Sequence, residues 1–215
     1  MLEELKERVC RLNRQLAAER LVVMTSGNVS GRDTEGSRVV IKPSGVAFDQ
    51  LAPAAMVVVS LEGDVIEGRL RPSVDTATHL YIYRHRRDVH GIAHTHSNYA
   101  TAFAAANRPI PAMLTAVADE FGGPVHVAPY APVGGEDIGK AVVEHIGDAK
   151  AILLKHHGVF TIGESPEAAF KSAVMLEDVA KTCFLALRLG ASEELPPEEL
   201  ARAHRRYREK YGQRQ

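Results

Sequence analysis

The stretch AILLKHHGVFTIG, Ala151 to Gly163, constrains the fold more than any other. Two apolar runs flank Lys155–Gly158, so the stretch reads as a buried strand, a turn and a second strand. Other runs agree with a sheet. RVVIKP and MVVVS are β-branched, LEGDVIEGRLRPS reads as a hairpin about Gly63 and Asp64, and Val89 to His96 and Val125 to Ala128 read as short strands. Helical patterns lie between them. Leu2, Leu5, Val9, Leu12 and Leu16 form one face of a helix over Leu2 to Arg20. Asp75 to Arg87 reads as a helix capped by Ser73, and Asn98 to Ala106, Glu136 to Ile146, Glu167 to Leu189 and the terminal PPEELARAHRRYREKYGQ also read as helices. TSGNVSGRD, dense in turn formers, reads as turns. The expected fold is one α/β domain over 1–215, a central, mostly antiparallel sheet between helix layers.

Charge narrows the function classes. With 26 basic and 27 acidic residues the chain carries a formal charge of -1, so no overall field favours nucleic acid or an anionic membrane. Cys10 and Cys183 are a poor disulfide framework, the charged start MLEELKERVC is unlike a signal peptide, and no apolar run has the length of a membrane span. A cytoplasmic protein is expected.

The chemistry concentrates in histidines. Strand positions i and i+2 share a face, so His94 and His96 project together while Thr95 points away. Two such imidazoles can grip one divalent ion; two hydrogen-bonded histidines without metal are the plain alternative. LLKHHGVF adds His156 and His157 after another strand, and alternation sends only one inward. His157, next to Gly158 where the chain can turn, is the third candidate ligand, and His156 reads as a strand-end residue. Asp75 is a candidate carboxylate ligand, or simply an acid at a helix N-terminus. SGNVS and KPSG can expose backbone N–H groups to a phosphate, with Lys42 adding charge beside Ser44 and Gly45; ordinary turns are the alternative. His79, His85, His90, His126, His145 and His204 read as surface or structural, and Met24, Met56 and Met175 as core filler.

GNVS, IKPSG, PSVD, HTHS and HHG, in this order and at these intervals, resemble the class II aldolase family, over essentially the whole chain to the terminal KYGQ. The resemblance implies His94, His96 and His157 as metal ligands, usually of zinc, with manganese or cobalt as alternatives. It implies a phosphate site of Asn28, Ser44, Gly45 and Ser73, and a homotetramer with active sites between subunits. Asp75 stands where the family's aldolases carry Glu and its ketose-phosphate 4-epimerases carry Asp. IPAMLTAVADEF resembles the epimerase segment with a catalytic acid/base, which gives that role to Asp119, and KYGQ resembles the epimerase tail, which makes Tyr211 its partner. Both would reach a neighbouring subunit's metal. Val74 departs from the family's second serine in the turn, and Val117 stands where epimerases often have His. The implied reaction interconverts L-ribulose 5-phosphate and D-xylulose 5-phosphate by retro-aldol cleavage and re-addition. The alternative is a class II aldolase cleaving a ketose 1-phosphate such as L-fuculose 1-phosphate; a methylthioribulose-phosphate dehydratase is a third reading. Adducin-like proteins use the same fold without catalysis, and they have no reason to keep all three histidines. The expected partner is a phosphorylated sugar, with neither nucleic acid nor membrane.

Overall fold

Eight strands build one sheet in the order β4-β3-β2-β1-β5-β8-β7-β6. They are β1 Asn28–Arg32, β2 Arg38–Ile41, β3 Val57–Ser60, β4 Val65–Glu67, β5 Gly91–Thr95, β6 Val127–Ala128, β7 Ala151–Leu154 and β8 Val159–Gly163. Every neighbouring pair is antiparallel except β6 and β7. Seven α-helices accompany the sheet among the described residues, with two single 3-10 turns at Phe48–Gln50 and Pro53–Ala55: α1 Leu2–Ala18, α2 Thr76–His85, α3 Asn98–Ala105, α4 Thr115–Phe121, α5 Asp137–Ile146, α6 Pro166–Arg188 and α7 Pro197–Lys210. The structure, a computed structural model, describes residues 2–33, 35, 37–190 and 193–211.

The β-branched runs are continuous because the sheet is covered on both faces. Val57 and Val59 join Leu80, Ile82, Ile138 and Val142, from α2 and α5, in one core cluster. Val58, the residue between them, joins Leu5, Val9 and Leu12 of α1 and Ala169 and Ala173 of α6 on the other face. Ile92 and Ala93 divide in the same way. A third cluster, with α3, α4 and α6 around Leu153 and Val159, closes the far end. The α/β fold with helix layers about a mostly antiparallel sheet is therefore as the sequence implies.

One local expectation fails, and one helix has no counterpart in the sequence reading. TSGNVSGRD is not all turn, because Asn28–Arg32 is a buried central strand. Its propensities are poor, but it pairs with β2 and β5 on both sides, and Asn13 of α1 locks it from above. The Asn13 carboxamide accepts from the Val29 N–H at 2.9 Å and donates to the Val29 carbonyl at 2.8 Å. Tertiary pairing overrides turn propensity here. Thr115–Phe121, which carries no helical signal long enough to register, is α4.

Glycines make close packing feasible at one place. Gly31, Gly91 and Gly163 lie in register across β1, β5 and β8. A methyl group on Gly91 would meet the Ser165 carbonyl oxygen at 2.1 Å, one on Gly31 would meet Pro166 at 2.7 Å, and one on Gly163 would meet Ala168 at 2.7 Å. This bare row lets the first turn of α6 rest directly on the sheet.

Candidate metal centre

β5 ends at Thr95, and β8 starts at Val159 beside it, with His94 paired to Phe160 and Thr95 to Val159. Strand alternation puts His94 on the α2–α5 face with Ile92, and His96 follows on the same side. The two Nε2 atoms stand 3.1 Å apart. His157 joins them, its ring centroid 4.9 Å from that of His94 and 5.1 Å from that of His96. One ligating nitrogen from each of the three lies within 4.8 Å of the others. Two nitrogens bound to one tetrahedral zinc stand about 3.3 Å apart, so the His94–His96 separation fits such an ion without rearrangement.

Electrostatics also favour ligation. Burial lowers the pKa of His94 to about 3, helped by the neighbouring His96 and His157 and opposed by Asp75. Burial likewise lowers His96 and His157 below the ordinary imidazole value. Neutral imidazoles keep a lone pair for a metal. The His94 Nδ1–H donates to the Val159 carbonyl at 2.9 Å, which leaves Nε2 as the free lone pair facing His96. Phe160 stacks on the His94 ring at 4.4 Å and 18°, and buried His79 meets Phe160 edge-on from 5.6 Å. His79 Nδ1 also pairs with Ser30 Oγ at 2.7 Å, and Ser30 Oγ with Tyr83 Oη at 2.8 Å, so the layer beneath His94 is rigid.

The turn into His157 differs from the expected one. The left-handed residue is His156, with φ 60°, and not Gly158. His tolerates this conformation better than bulkier residues do. The step leaves His156 exposed and swings His157 inward. Gly158 is needed for space, since a Cβ there would come within 2.6 Å of His96 Cδ2 and of the Thr95 carbonyl oxygen.

Asp75 sits beside the imidazoles but outside the three-nitrogen cluster. Its Oδ2 accepts from Asn28 Nδ2 at 2.7 Å and from Ser73 Oγ at 3.4 Å. Burial pushes the Asp75 carboxyl up, and His94, His79 and the Asn28 hydrogen bond more than offset this, so its pKa ends below the ordinary value. Asn28 lies opposite His94 in the β1–β5 register, with its Oδ1 buried and unpaired. Ser73 does not cap α2; its hydroxyl accepts from the Asp75 N–H at 3.3 Å, and the helix begins after Asp75 with no side-chain cap.

The two small-residue turns are clamped side by side. The Ser44 N–H donates to the Arg71 carbonyl and the Ser73 N–H to the Lys42 carbonyl, both at 2.9 Å, and Pro43 bridges Pro72. Gly45, at φ 70°, leaves open space around its Cα. Lys42 is buried, and its ammonium donates to the carbonyls of Thr25 at 3.2 Å and Pro43 at 3.3 Å, so it braces the turns from below. Burial lowers its pKa, against the pull of Asp75. Val74 is exposed on the same turn as Ser73. Met24, expected in the core, is 82% exposed at φ 57°, in the loop that precedes Asn28; Met56 is buried as expected.

Asp119 and Tyr211 lie elsewhere in the chain. Asp119, on α4, pairs with Arg206 of α7 at 3.1 and 3.3 Å. Tyr211 follows the last residue of α7, 74% exposed and stacked on Tyr207 at 4.5 Å. It lines a cavity of about 710 Å³ that includes Gly163, at the end of β8 away from His157. Gly212 and Gln213 of the KYGQ tail lie outside the described residues. Residues that the sequence did not single out include Phe160, Ser30, Glu177 and Glu120. The last is a buried acid on α4 held by Lys171 at 3.0 Å, Ser172 at 3.0 Å and Tyr207 at 3.0 Å.

Among the described helices, none is long and apolar enough to cross a membrane. The structure is similar to that of an L-fuculose 1-phosphate aldolase, with 30% identity over 95% of this chain and 96% of that one and a TM-score of 0.90. It is similar to YgbL of Escherichia coli, with 25% identity, 94% and 99% coverage and a TM-score of 0.83. An l-fuculose-1-phosphate aldolase from Thermus thermophilus is similar at 26% identity, 89% and 98% coverage and a TM-score of 0.75. The model of the family described as class II aldolase and adducin N-terminal domain matches residues 7–184, a span that carries the three histidines and both clamped turns. The chain belongs to that family.

Proposed function

We propose that the chain is a divalent-metal enzyme that breaks and remakes a carbon–carbon bond in a phosphorylated ketose. The observation that carries this reading is the convergence of three imidazoles beside the Asn28–Ser73–Asp75 hydrogen-bond group. An ion held by His94, His96 and His157, zinc first and manganese or cobalt as alternatives, would supply Lewis-acid stabilisation of negative charge developing on substrate oxygen. Asp75, tied to Asn28, is the candidate carboxylate beside that ion, as a further ligand or as a base. The amides and hydroxyls of Asn28, Ser44, Gly45 and Ser73 hold the phosphate in this reading, over the buried charge of Lys42.

The chemistry requires bond cleavage. The C4 proton of a 2-ketose is not adjacent to the carbonyl, so deprotonation alone cannot invert C4. Removing the C4 hydroxyl proton lets the C3–C4 electron pair pass to the fragment bearing the carbonyl, and the aldehyde fragment can turn over and re-add. Two acid/bases on opposite faces of the aldehyde serve the two stereoisomers. Asp119 and Tyr211 take these roles in a homotetramer, each reaching the histidine cluster of a neighbouring copy. What supports that arrangement is that neither joins the histidine cluster of its own chain: Asp119 pairs with Arg206 and Tyr211 stacks on Tyr207.

The first reading is interconversion of L-ribulose 5-phosphate and D-xylulose 5-phosphate, supported by Asp75, Asp119 and Tyr211. The second is aldol cleavage of a ketose 1-phosphate such as L-fuculose 1-phosphate, favoured by the likeness to L-fuculose 1-phosphate aldolase. Incubation of the zinc-loaded protein with each sugar phosphate, followed by NMR, tests both. D-xylulose 5-phosphate without free aldehyde supports epimerisation, and free aldehyde supports cleavage. No turnover of either sugar by protein with metal firmly bound rejects both substrates.

A further inference from the structure

His96 lies one residue beyond β5 and one before Ser97, the residue that precedes α3. Its backbone is therefore set by β5 on one side and, on the other, by whatever holds the start of α3. Ser97 is not that group, since its side chain makes no capping hydrogen bond. Glu177, in the middle of α6, takes the place of a cap from a distance. One carboxylate oxygen accepts from the Tyr99 N–H at 2.9 Å and the other from the Ala100 N–H at 2.9 Å. Both are charge-assisted bonds to N–H groups that the helix leaves unpaired, at the end where its dipole favours an anion. The grip extends along one stripe of α6. Lys181 places its ammonium 5.8 Å from the Tyr99 ring centroid, and the Phe184 ring lies 5.6 Å from the same ring. Positions i, i+4 and i+7 thus face the first turn of α3.

We infer that Glu177 is a positioning residue of the metal centre: by clamping the first turn of α3 it fixes the backbone that aims the His96 imidazole at His94. It touches neither imidazole and acts through Ser97–Ala100. The inference rests on the metal reading above. Its physical content is that the ligand pair His94–His96 is held from two layers, His94 by the sheet and His96 by α6.

The test is a Co²⁺ titration of the full chain, following the visible d–d absorption band, on wild type, Glu177→Gln, Glu177→Asp and Glu194→Gln. Gln keeps the size of the side chain but presents an NH₂ group to one of the two N–H donors. Loss of a ligand's own hydrogen-bond partner weakens metal affinity about 10–100-fold; Glu177 stands one step further out, so Glu177→Gln is expected to weaken it by about the lower end of that range, with a shifted band. Glu194, whose carboxylate accepts from the Ala112 N–H at 2.8 Å, is the matched control for lost carboxylate-to-backbone bonding, and its Gln variant keeps affinity and band. Unchanged binding in Glu177→Gln, or equal losses in both Gln variants, overturns the inference. If Glu177→Gln does not fold, Glu177→Asp decides, because it keeps the charge but is too short to reach both N–H groups; wild-type affinity there is equally fatal. Failure of the wild-type chain to take up Co²⁺ overturns the metal reading itself, whereas wild-type uptake with an unaffected Glu177→Gln overturns only this inference.

Discussion

His94 and His96 present their Nε2 atoms to each other at 3.1 Å, with the His94 tautomer fixed by the Val159 carbonyl behind it. Two lone-pair nitrogens at this distance are unfavourable neighbours unless a proton or a cation lies between them. His96→Ala is therefore expected to abolish tight divalent-metal binding while leaving the fold intact, because His96 is only half-buried. Metal content after dialysis, with circular dichroism alongside, is the measurement. Stoichiometric metal in the variant would falsify the three-histidine assignment.

Gly158→Ala is the sterically sharper probe. The added methyl would stand 2.6 Å from both His96 Cδ2 and the Thr95 carbonyl oxygen, so the ring or the loop that carries His157 must move. Affinity should fall by at least tenfold, about 1.4 kcal/mol. Isothermal titration with zinc reads this directly, and an unaltered constant would show that the loop relaxes without moving the imidazole.

Asn13→Ala should destabilise the fold without touching the metal centre. It strands the Val29 N–H, deep between α1 and β1, and removes three hydrogen bonds, one of them to Val9 within its own helix. An unpaired buried donor costs about 1–3 kcal/mol. Urea unfolding should show that loss, and a change below 0.5 kcal/mol would mean that water or a backbone shift replaces the amide.

Acid should act through Glu120. Burial raises its carboxyl pKa, but the hydrogen bond from Lys171, the charges of Lys150 and Lys171 and the Ser172 hydroxyl outweigh burial and bring it below the ordinary 4.5. A depressed folded-state pKa contributes stability that is fully present above 4.5 and lost as pH falls through the folded value. Melting temperatures measured from pH 6 downward should fall more steeply for wild type than for Glu120→Gln. Parallel curves would place the acid-sensitive group elsewhere.

What the sequence revealed of this site follows from the range of the physics involved. The shared face of His94 and His96 is strand alternation, a property of two residues and their backbone, and it was legible. The choice of His157 over His156 was legible in outcome, but its cause was misplaced: His156 takes the left-handed step, and Gly158 supplies room. Asn28–Arg32 was unreadable as a strand because asparagine, serine and glycine speak for turns, and only pairing on both edges makes them a strand. Glu177 was unreadable for a different reason. One more glutamate on a long helix carries no mark of the N–H groups it faces, which depend on how α3 and α6 cross. Met24 shows the converse error, an apolar residue assigned to the core from its chemistry alone.

The bare row of Gly31, Gly91 and Gly163 has a consequence well beyond its own neighbourhood. A helix that rests on backbone has no side-chain cushion to absorb a shift, so its height and rotation are indexed to the strands themselves. Glu177 lies eleven residues past Pro166, about 16 Å further along the same rod. The row thus works as a datum plane: a methyl group added at Gly91 would lift the first turn of α6 and be read out as a misaimed carboxylate three turns further on.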